Sequence, residues 1–315
     1  MPQEPTQALL KQPPLLRYSL ATRPAFLGVS ILPVCVGAAA ASYQGHEFNW
    51  GLFILSVLAM MLIHASVNVI NDYYDEQNGT DRLNTERIYP FTGGSRFIQN
   101  QVLSAKASFQ WACWLLAVAS LLGLILVWQT GWGLFWIGLA GFLVGWGYSA
   151  PPLQLNSRGL GEPAVALGIG LLTPLGAWYV QTSQLAWYPC VISLPLGLLA
   201  MNILLINQFP DAKADAASGK YHWVVRFGAL PAAWIYVGNV LLAFVILVSL
   251  IINQFLPSLA IISLLPLGLA ISAAILLKRY ALHLARLTTA IKMTIASALL
   301  HASLLTLSLV LVQVE

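Results

Sequence analysis

The chain has 315 residues, of which 58% are hydrophobic and 8% are charged, and its mean hydropathy is +0.76. Soluble domains carry about 25% charged residues, so this composition excludes an ordinary soluble protein and predicts a polytopic membrane protein. The net charge of +4 does not indicate nucleic-acid binding, because basic residues set the topology of membrane proteins. We therefore expect the lipid bilayer, and no nucleic acid, as a partner.

Nine apolar stretches are long enough to cross a membrane, which takes about 20 residues per helix. They predict an all-α fold of about nine transmembrane helices in a single domain at residues 24–315, after a cytoplasmic N-terminal segment at residues 1–23. The short gap Gln129-Thr-Gly131 predicts a tight hairpin between the third and fourth spans. The predicted spans are residues 24–43, 50–72, 105–128, 132–149, 163–181, 186–208, 230–251, 257–277 and 290–311.

The distribution of basic residues supports this count. All 15 Lys and Arg residues lie before the first span or around the connections that follow even-numbered spans, and the opposite connections contain none. By the positive-inside rule, the N-terminus and these loops are cytoplasmic, and the C-terminus at Glu315 is outside. The sequence thus predicts a multi-pass protein of the cytoplasmic (inner) membrane.

The end of the second span carries a group of polar side chains. At about 100° per residue they fall within about a quarter-turn of one helix face. Ionisable groups at this depth are costly and usually face a cavity or a partner, so this face is predicted to be a functional site. Its members are His64, which we interpret as a packing residue, and Asn68, Asn71, Asp72 and Asp75.

A second polar group follows at the end of the sixth span. Asn207, Asp211 and Asp215 repeat the Asn-x-x-x-Asp pattern of the first group at the same predicted membrane face. Pro210 should end or kink this helix just before Asp211, because proline lacks a backbone donor. We interpret the two groups as halves of one site.

The carboxylates of both groups suit a magnesium ion. Mg²⁺ prefers hard oxygen ligands and is usually held by one or two carboxylates together with substrate phosphate oxygens. Two facing sets could therefore clamp a diphosphate, with basic side chains on its remaining oxygens. In an apolar, aromatic-rich chain the expected ligand is a lipid diphosphate, whose allylic centre an aromatic face such as that of Tyr148 could shield. The asparagines could either cap helix ends or support the metal site.

These motifs resemble those of the UbiA superfamily of intramembrane prenyltransferases. The nearer resemblance is to the 1,4-dihydroxy-2-naphthoate polyprenyltransferases of menaquinone biosynthesis, and it covers about residues 20–230. The segments that carry it are Asn71-Asp72-Tyr-Tyr-Asp75-x-x-x-Gly79-x-Asp81, Thr92-Gly-Gly-Ser-Arg96, the loop from Tyr148 to Glu162, and Asp215-x-x-x-Gly219-Lys220. The chain departs from the family pattern at Gln154, where Lys is common, and at Tyr221-His-Trp after Lys220.

The resemblance implies a helical bundle around a central cavity, dependence on Mg²⁺, and a prenyl chain in a lateral opening toward lipid. The catalytic residues that it implies are Asp72, Asp75, Asp211 and Asp215, which also hold the metal together with Asp81. The substrate-binding residues that it implies are Asn68, Asn71, Arg87, Arg96, Tyr148, Arg158, Asn207 and Lys220.

The expected function is Mg²⁺-dependent transfer of a polyprenyl group from a polyprenyl diphosphate to an aromatic acceptor. The resemblance favours 1,4-dihydroxy-2-naphthoate as the acceptor, and another acceptor such as 4-hydroxybenzoate is the alternative. A secondary transporter is the rival from a different class, although transporters place their coupling charges near the bilayer midplane rather than at span ends. The sequence leaves the prenyl length, the catalytic base and the oligomeric state open.

Overall fold

The computed structural model describes residues 3–312, and these residues form helices and connecting loops without any β-strand. This agrees with the predicted all-α fold, since a helix satisfies its own backbone polar groups in lipid. The first two residues of the predicted N-terminal segment, and the predicted outside location of Glu315, lie beyond the described residues.

Nine long helical segments follow one another within residues 3–312. A 3₁₀ turn at Pro24–Phe26 precedes the first segment, a π-helical turn at Gly168–Leu172 interrupts the fifth, and a 3₁₀ stretch at Ser258–Leu264 leads into the eighth. The segments are α1 (Gly28–Tyr43), α2 (Trp50–Gln77), α3 (Ala105–Thr130), α4 (Trp132–Ser149), α5 (Gly161–Thr182), α6 (Leu194–Ala217), α7 (Ala229–Ile252), α8 (Leu267–Tyr280) and α9 (Thr288–Leu311).

Shorter helices lie between these segments or before them. In the N-terminal segment they are the 3₁₀ helix Gln7–Lys11 and the α-helix Pro14–Ala21. The others are Thr80–Leu83, Leu155–Ser157, Tyr188–Ile192, Trp223–Phe227 and Leu284–Arg286.

Seven segments of the described chain are long and apolar enough to cross a membrane by themselves. The two others are α4, which is short and rich in glycine and tryptophan, and α6, which ends in carboxylates. Multiple membrane helices are therefore present, while the count of nine spans stays a prediction. The predicted hairpin is confirmed: α3 ends at Thr130 and α4 begins at Trp132, and Gly131 between them has a φ of 112°, which favours glycine.

The bundle has two parts. Helices α6 to α9 pack around buried apolar side chains such as Leu205, Leu247 and Ile291. Helices α1 to α6 surround a cavity, and α1 joins the two parts by packing on both α5 and α9. The last three helices therefore buttress the wall of a cavity to which the described residues of α7 to α9 contribute no side chain.

Helices α1 and α5 approach each other closely at Gly37. A methyl group added to Gly37 would overlap the backbone of Pro174 on α5, so neither helix can keep its place if this residue gains a side chain. Small residues at membrane helix interfaces allow such backbone contact. Gly170, in the π-helical turn, meets Gly197 of α6 in the same way.

Replacing Gly37 by Ala is therefore expected to destabilise the bundle by about 2 kcal/mol, a typical cost of overpacking. The measurement is the thermal unfolding midpoint of the purified protein in detergent. Gly238→Ala is the matched control, because Gly238 lies in the middle of α7 with open space around it. Equal unfolding midpoints for the two variants would contradict the close contact between α1 and α5.

Candidate active site

A cavity of about 660 Å³ lies among helices α1 to α6. Most of its wall is apolar and includes Met60, Leu116 and Phe142. Four carboxylates line one part of this cavity: Asp75, Asp81, Asp211 and Asp215. The cavity thus combines an apolar chamber with an acidic region, an arrangement that suits a lipid with a charged head.

The first polar group lies on the last turns of α2, which continues to Gln77 and so extends past the predicted end of this span. Asp75 is buried and faces the cavity. Asp72 is also buried, but it is not a lining residue, and both of its oxygens lie 3.2 Å from the backbone nitrogen of Ser95. The loop that contains Ser95 therefore covers Asp72.

The second polar group lies on the last turns of α6. The sequence predicts that Pro210 ends or kinks this helix. The prediction of a helix end is wrong, because the helix continues to Ala217. Proline has no backbone N–H, so Pro210 removes a single helical hydrogen bond. The last turn beyond it is stabilised by Lys220 N, which donates to Asp215 O at 2.8 Å. Because the helix continues, Asp211 and Asp215 are four residues apart on one face.

A glycine-containing loop connects the two groups. Gly93 N donates to Asp211 Oδ2 at 3.4 Å, two residues before the Ser95 nitrogen that contacts Asp72. Gly93 and Gly94 have φ values of 73° and 71°. A side chain on Gly94 would collide with the Asp81 carboxylate. The loop can therefore lie against both acidic groups only because glycine occupies these positions.

Lys220 bridges the two acidic groups directly. Its Nζ lies 2.8 Å from Asp75 Oδ1 on α2 and 3.3 Å from Asp215 Oδ1 on α6, and the residue is 7% exposed. Burial alone would lower the pKa of this ammonium, but the two carboxylates outweigh burial and raise the pKa. Lys220 is therefore a charged group at the centre of the site.

Asp81 adds another carboxyl group to the site, and this group forms no ion pair with Lys220. This residue is buried, and its burial raises the pKa of the carboxyl well above the usual range, with further contributions from the negative charges of Asp75 and Asp72. A group of carboxylates this crowded would be stabilised by an additional cation.

The residues present fit Mg²⁺ by their chemistry. Among residues 3–312, no three His, Cys, Asp or Glu side chains lie close enough together to hold a metal ion as placed. The donors around the cavity are nevertheless carboxylate and amide oxygens, the ligands that Mg²⁺ prefers. The buried oxygens Asn84 Oδ1 and Asn207 Oδ1 also lack a hydrogen-bond partner in the described chain.

Several other predicted site residues also line the cavity. Tyr148 and Asn207 do so, as do the two asparagines of α2. Asn68 Nδ2 donates to Thr22 O at 3.0 Å, and Asn71 Nδ2 donates to Ser149 Oγ at 3.0 Å. These bonds join α2 to the segment before α1 and to the end of α4, so both asparagines hold neighbouring segments around the site.

Three of the predicted basic residues are not among the lining residues of the cavity. Arg87 Nε lies 2.8 Å from Glu4 Oε1, and Arg96 Nε lies 3.9 Å from the other oxygen of Glu4. Arg158 is exposed and donates to Pro152 O. The N-terminal segment thus engages two of these arginines, and the substrate-binding roles of all three stay predictions.

The lining residues that were not predicted as site residues include three with contacts near the acidic region: Arg23, Asn84 and His222. Arg23 Nη2 donates to the backbone oxygens of residues 90 and 91 at 3.1 Å, Asn84 Nδ2 donates to Asp211 Oδ1 at 2.5 Å, and His222 Nε2 lies 3.0 Å from Asp215 Oδ2. His222 had a sequence signal, since it lies where the chain departs from the family pattern after Lys220.

Comparisons with known proteins agree with this arrangement. The UbiA prenyltransferase family model matches residues 30–298. A 1,4-dihydroxy-2-naphthoate octaprenyltransferase of Bacillus subtilis is 27% identical over 74% of this chain and 72% of its own length. The Haemophilus influenzae protein of the same name is 31% identical over 66% and 68% of the two chains.

Solved structures show the same fold at low sequence identity. A UbiA homolog from Aeropyrum pernix K1 has a TM-score of 0.70 at 15% identity, covering 90% of this chain and 97% of that one. A UbiA homolog from Archaeoglobus fulgidus bound to DMAPP and Mg²⁺ has a TM-score of 0.65 at 17% identity, covering 91% and 99%.

Proposed function

Because this chain belongs to the UbiA prenyltransferase family, we propose that it transfers a polyprenyl group from a polyprenyl diphosphate to 1,4-dihydroxy-2-naphthoate, a reaction of menaquinone biosynthesis. The names of its Bacillus, Haemophilus and Escherichia coli relatives support this acceptor. The observation that carries the proposal is that carboxylates of α2 and α6, two helices that are far apart in the sequence, line one apolar cavity.

The acidic residues would hold the head of the donor. Asp75, Asp81, Asp211 and Asp215 line the cavity, and Asp72 lies behind them under the Ser95 loop. These five carboxylates are the proposed ligands of Mg²⁺-diphosphate, with Asn84 and Asn207 in support. When bound, Mg²⁺ supplies positive charge that stabilises the departing diphosphate.

The basic lining residues would attract both anionic substrates. Arg23 and Lys220 are the Lys and Arg residues of the described chain that line the cavity. Lys220 would hold the two acidic groups at a fixed separation through its contacts with Asp75 and Asp215. The apolar chamber beyond them would exclude water and receive the prenyl chain.

The proposed reaction balances without another reactant. The bond between the first prenyl carbon and the diphosphate oxygen breaks, and a carbon–carbon bond forms at the ring carbon that carries the carboxylate. Carbon dioxide and diphosphate leave. The side chains of this protein would contribute orientation and charge stabilisation, as in other reactions in which a charged group departs.

The mouth of the site is proposed to open to the cytoplasm. The positive-inside rule predicts that all Lys and Arg residues lie on that side, including Lys220 and the arginines of residues 80–100. Placing the acidic groups there would let the acceptor enter from the cytoplasm and the released diphosphate leave into it, while the prenyl chain stays in the membrane.

The test is product formation by the purified protein in detergent with a polyprenyl diphosphate and 1,4-dihydroxy-2-naphthoate. We expect one diphosphate released per prenylated product, complete loss of both in excess EDTA, and recovery on adding Mg²⁺. Diphosphate release and product formation that are unchanged in EDTA would contradict the proposed role of the carboxylates.

A further inference from the structure

His64 lies deeper in the cavity than the carboxylates and on the same face of α2. It lines the cavity, four residues before Asn68 and eight before Asp72. At about 1.5 Å of rise per residue, His64 is about 12 Å from the level of Asp72 along the helix. A group bound to His64 would therefore lie between the acidic region and the apolar chamber.

The hydrogen bonds of His64 define which ring nitrogen carries the proton. His64 Nδ1 lies 2.9 Å from Ser30 Oγ on α1, and Ser30 Oγ lies 2.9 Å from Leu27 O. A carbonyl oxygen only accepts, so the single hydroxyl proton of Ser30 goes to Leu27 O. Both bonds can form only if Nδ1 of His64 donates to Ser30, and in the neutral imidazole this leaves Nε2 without a proton.

The Nε2 atom remains open to a ligand. It has no hydrogen-bond partner within residues 3–312, and it is not among the buried polar atoms that are sealed from solvent. Two other polar groups on the wall are already engaged: Ser56 Oγ donates to Leu52 O and Thr173 Oγ1 donates to Gly168 O, both at 2.8 Å. His64 thus presents a fixed acceptor of hydrogen bonds in a largely apolar wall.

Two aromatic side chains line the same cavity near Ser30, the hydrogen-bond partner of His64. Phe26 is one helical turn before Ser30 and lines the cavity together with Phe91. The two rings meet edge to face, with centroids 6.2 Å apart. A flat aromatic ligand can pack on such rings while a polar substituent reaches a neighbouring acceptor.

We propose that Nε2 of His64 accepts a hydrogen bond from a ring hydroxyl of the aromatic substrate, and that Ser30 keeps the imidazole in the tautomer that this bond requires. The inference rests on the proposed function, because it assigns His64 to the acceptor of that reaction. His64 thereby selects hydroxylated aromatic rings and orients them below the diphosphate.

The test compares His64→Asn, His64→Gln and Ser30→Ala with the wild type. The Asn amide can still donate to Ser30 but offers no acceptor where Nε2 was, whereas the longer Gln can place a carbonyl oxygen there. We expect His64→Asn to raise the KM for the aromatic substrate about three- to tenfold, the usual effect of one lost hydrogen bond, and to leave the KM for the prenyl diphosphate unchanged. His64→Gln should recover most of this loss, and Ser30→Ala should show part of it.

His301→Asn is the matched control. Like His64, His301 lies in a long helix and uses Nδ1 for its hydrogen bond, here 3.1 Å from Ser263 O, but His301 is buried and does not line the cavity. This control should show the wild-type KM for both substrates. An equal rise in KM in His64→Asn and His301→Asn would mean that loss of any imidazole packed between helices is the cause, which would overturn the proposal.

A binding measurement separates this inference from the proposed reaction. The dissociation constants of 1-hydroxy-2-naphthoate and 2-naphthoate, which differ by one hydroxyl, are measured for the wild type and for His64→Asn. We expect the wild type to prefer the hydroxylated ligand and His64→Asn to lose that preference, even if the wild type forms no product. An undiminished preference in His64→Asn would overturn the role of His64, and so would a wild type that binds the two ligands equally well. Neither result bears on the proposed reaction, which product formation tests.

Discussion

Replacing Asp75 or Asp211 by Asn is expected to reduce prenyl transfer about 10³-fold, because each change removes a negative charge that holds the cation and the departing diphosphate. The two residues lie on different helices and line the same cavity. Asn has nearly the size of Asp, and at residue 211 its amide oxygen can still accept the bond from Asn84. In Asp75→Asn, Lys220 keeps its contact with Asp215. The fold should therefore survive both changes while turnover is lost.

The measurement is kcat for prenylated product at saturating concentrations of both substrates and Mg²⁺. Glu86→Gln is the matched control, since Glu86 is exposed, lies 3.8 Å from the exposed Lys213, and does not line the cavity. This control should keep the wild-type rate. If a variant at Asp75 or Asp211 retained a tenth of the wild-type kcat, the proposed role of that carboxylate would be contradicted.

Replacing Lys220 by Met is expected to lower the free energy of unfolding by about 3 kcal/mol, because a buried ion pair that loses one partner leaves uncompensated charge behind. The charges left behind would be Asp75 and Asp215, on helices α2 and α6. We expect Mg²⁺ to raise the unfolding midpoint of Lys220→Met more than that of the wild type, since a bound cation can replace part of the lost charge.

Lys213→Met is the control for this second prediction. The Lys213 side chain is 81% exposed, and its partner Glu86 is exposed as well, so removing it should change the stability little. The unfolding midpoints of both variants are measured with Mg²⁺ and with EDTA. Equal stability of Lys220→Met and Lys213→Met would contradict the role of Lys220 as a bridge between the acidic groups.

The fold was largely predictable because hydropathy and helical periodicity are local properties of the sequence. The long apolar stretches became helices, and the gap before Trp132 became the tight hairpin at Gly131. The sequence also predicted that Asp75 and Asp215 belong to one site, from their matching motifs. The Lys220 contacts bring these two residues together over 140 positions of the chain.

What the sequence did not predict depends on contacts between distant residues. Proline is a local signal for a helix end, but the helix continues past Pro210 because bonds beyond it hold the final turns. Arg23 faces the cavity because its guanidinium donates to backbone oxygens of residues 90 and 91. His64 was interpreted as a packing residue, and its bond to Ser30 is indeed such a contact. The sequence did not predict that His64 also lines the cavity, where its Nε2 atom has no hydrogen-bond partner in the described chain.

The most direct test of the account offers the purified protein a polyprenyl diphosphate and Mg²⁺ with equal concentrations of 1,4-dihydroxy-2-naphthoate and 4-hydroxybenzoate. The products are weighed by mass spectrometry. We predict a single product whose mass equals the naphthoate plus the prenyl group minus carbon dioxide. A prenylated hydroxybenzoate as the main product would contradict the proposed acceptor, and a protein that leaves the diphosphate intact with both acceptors would contradict the proposed reaction.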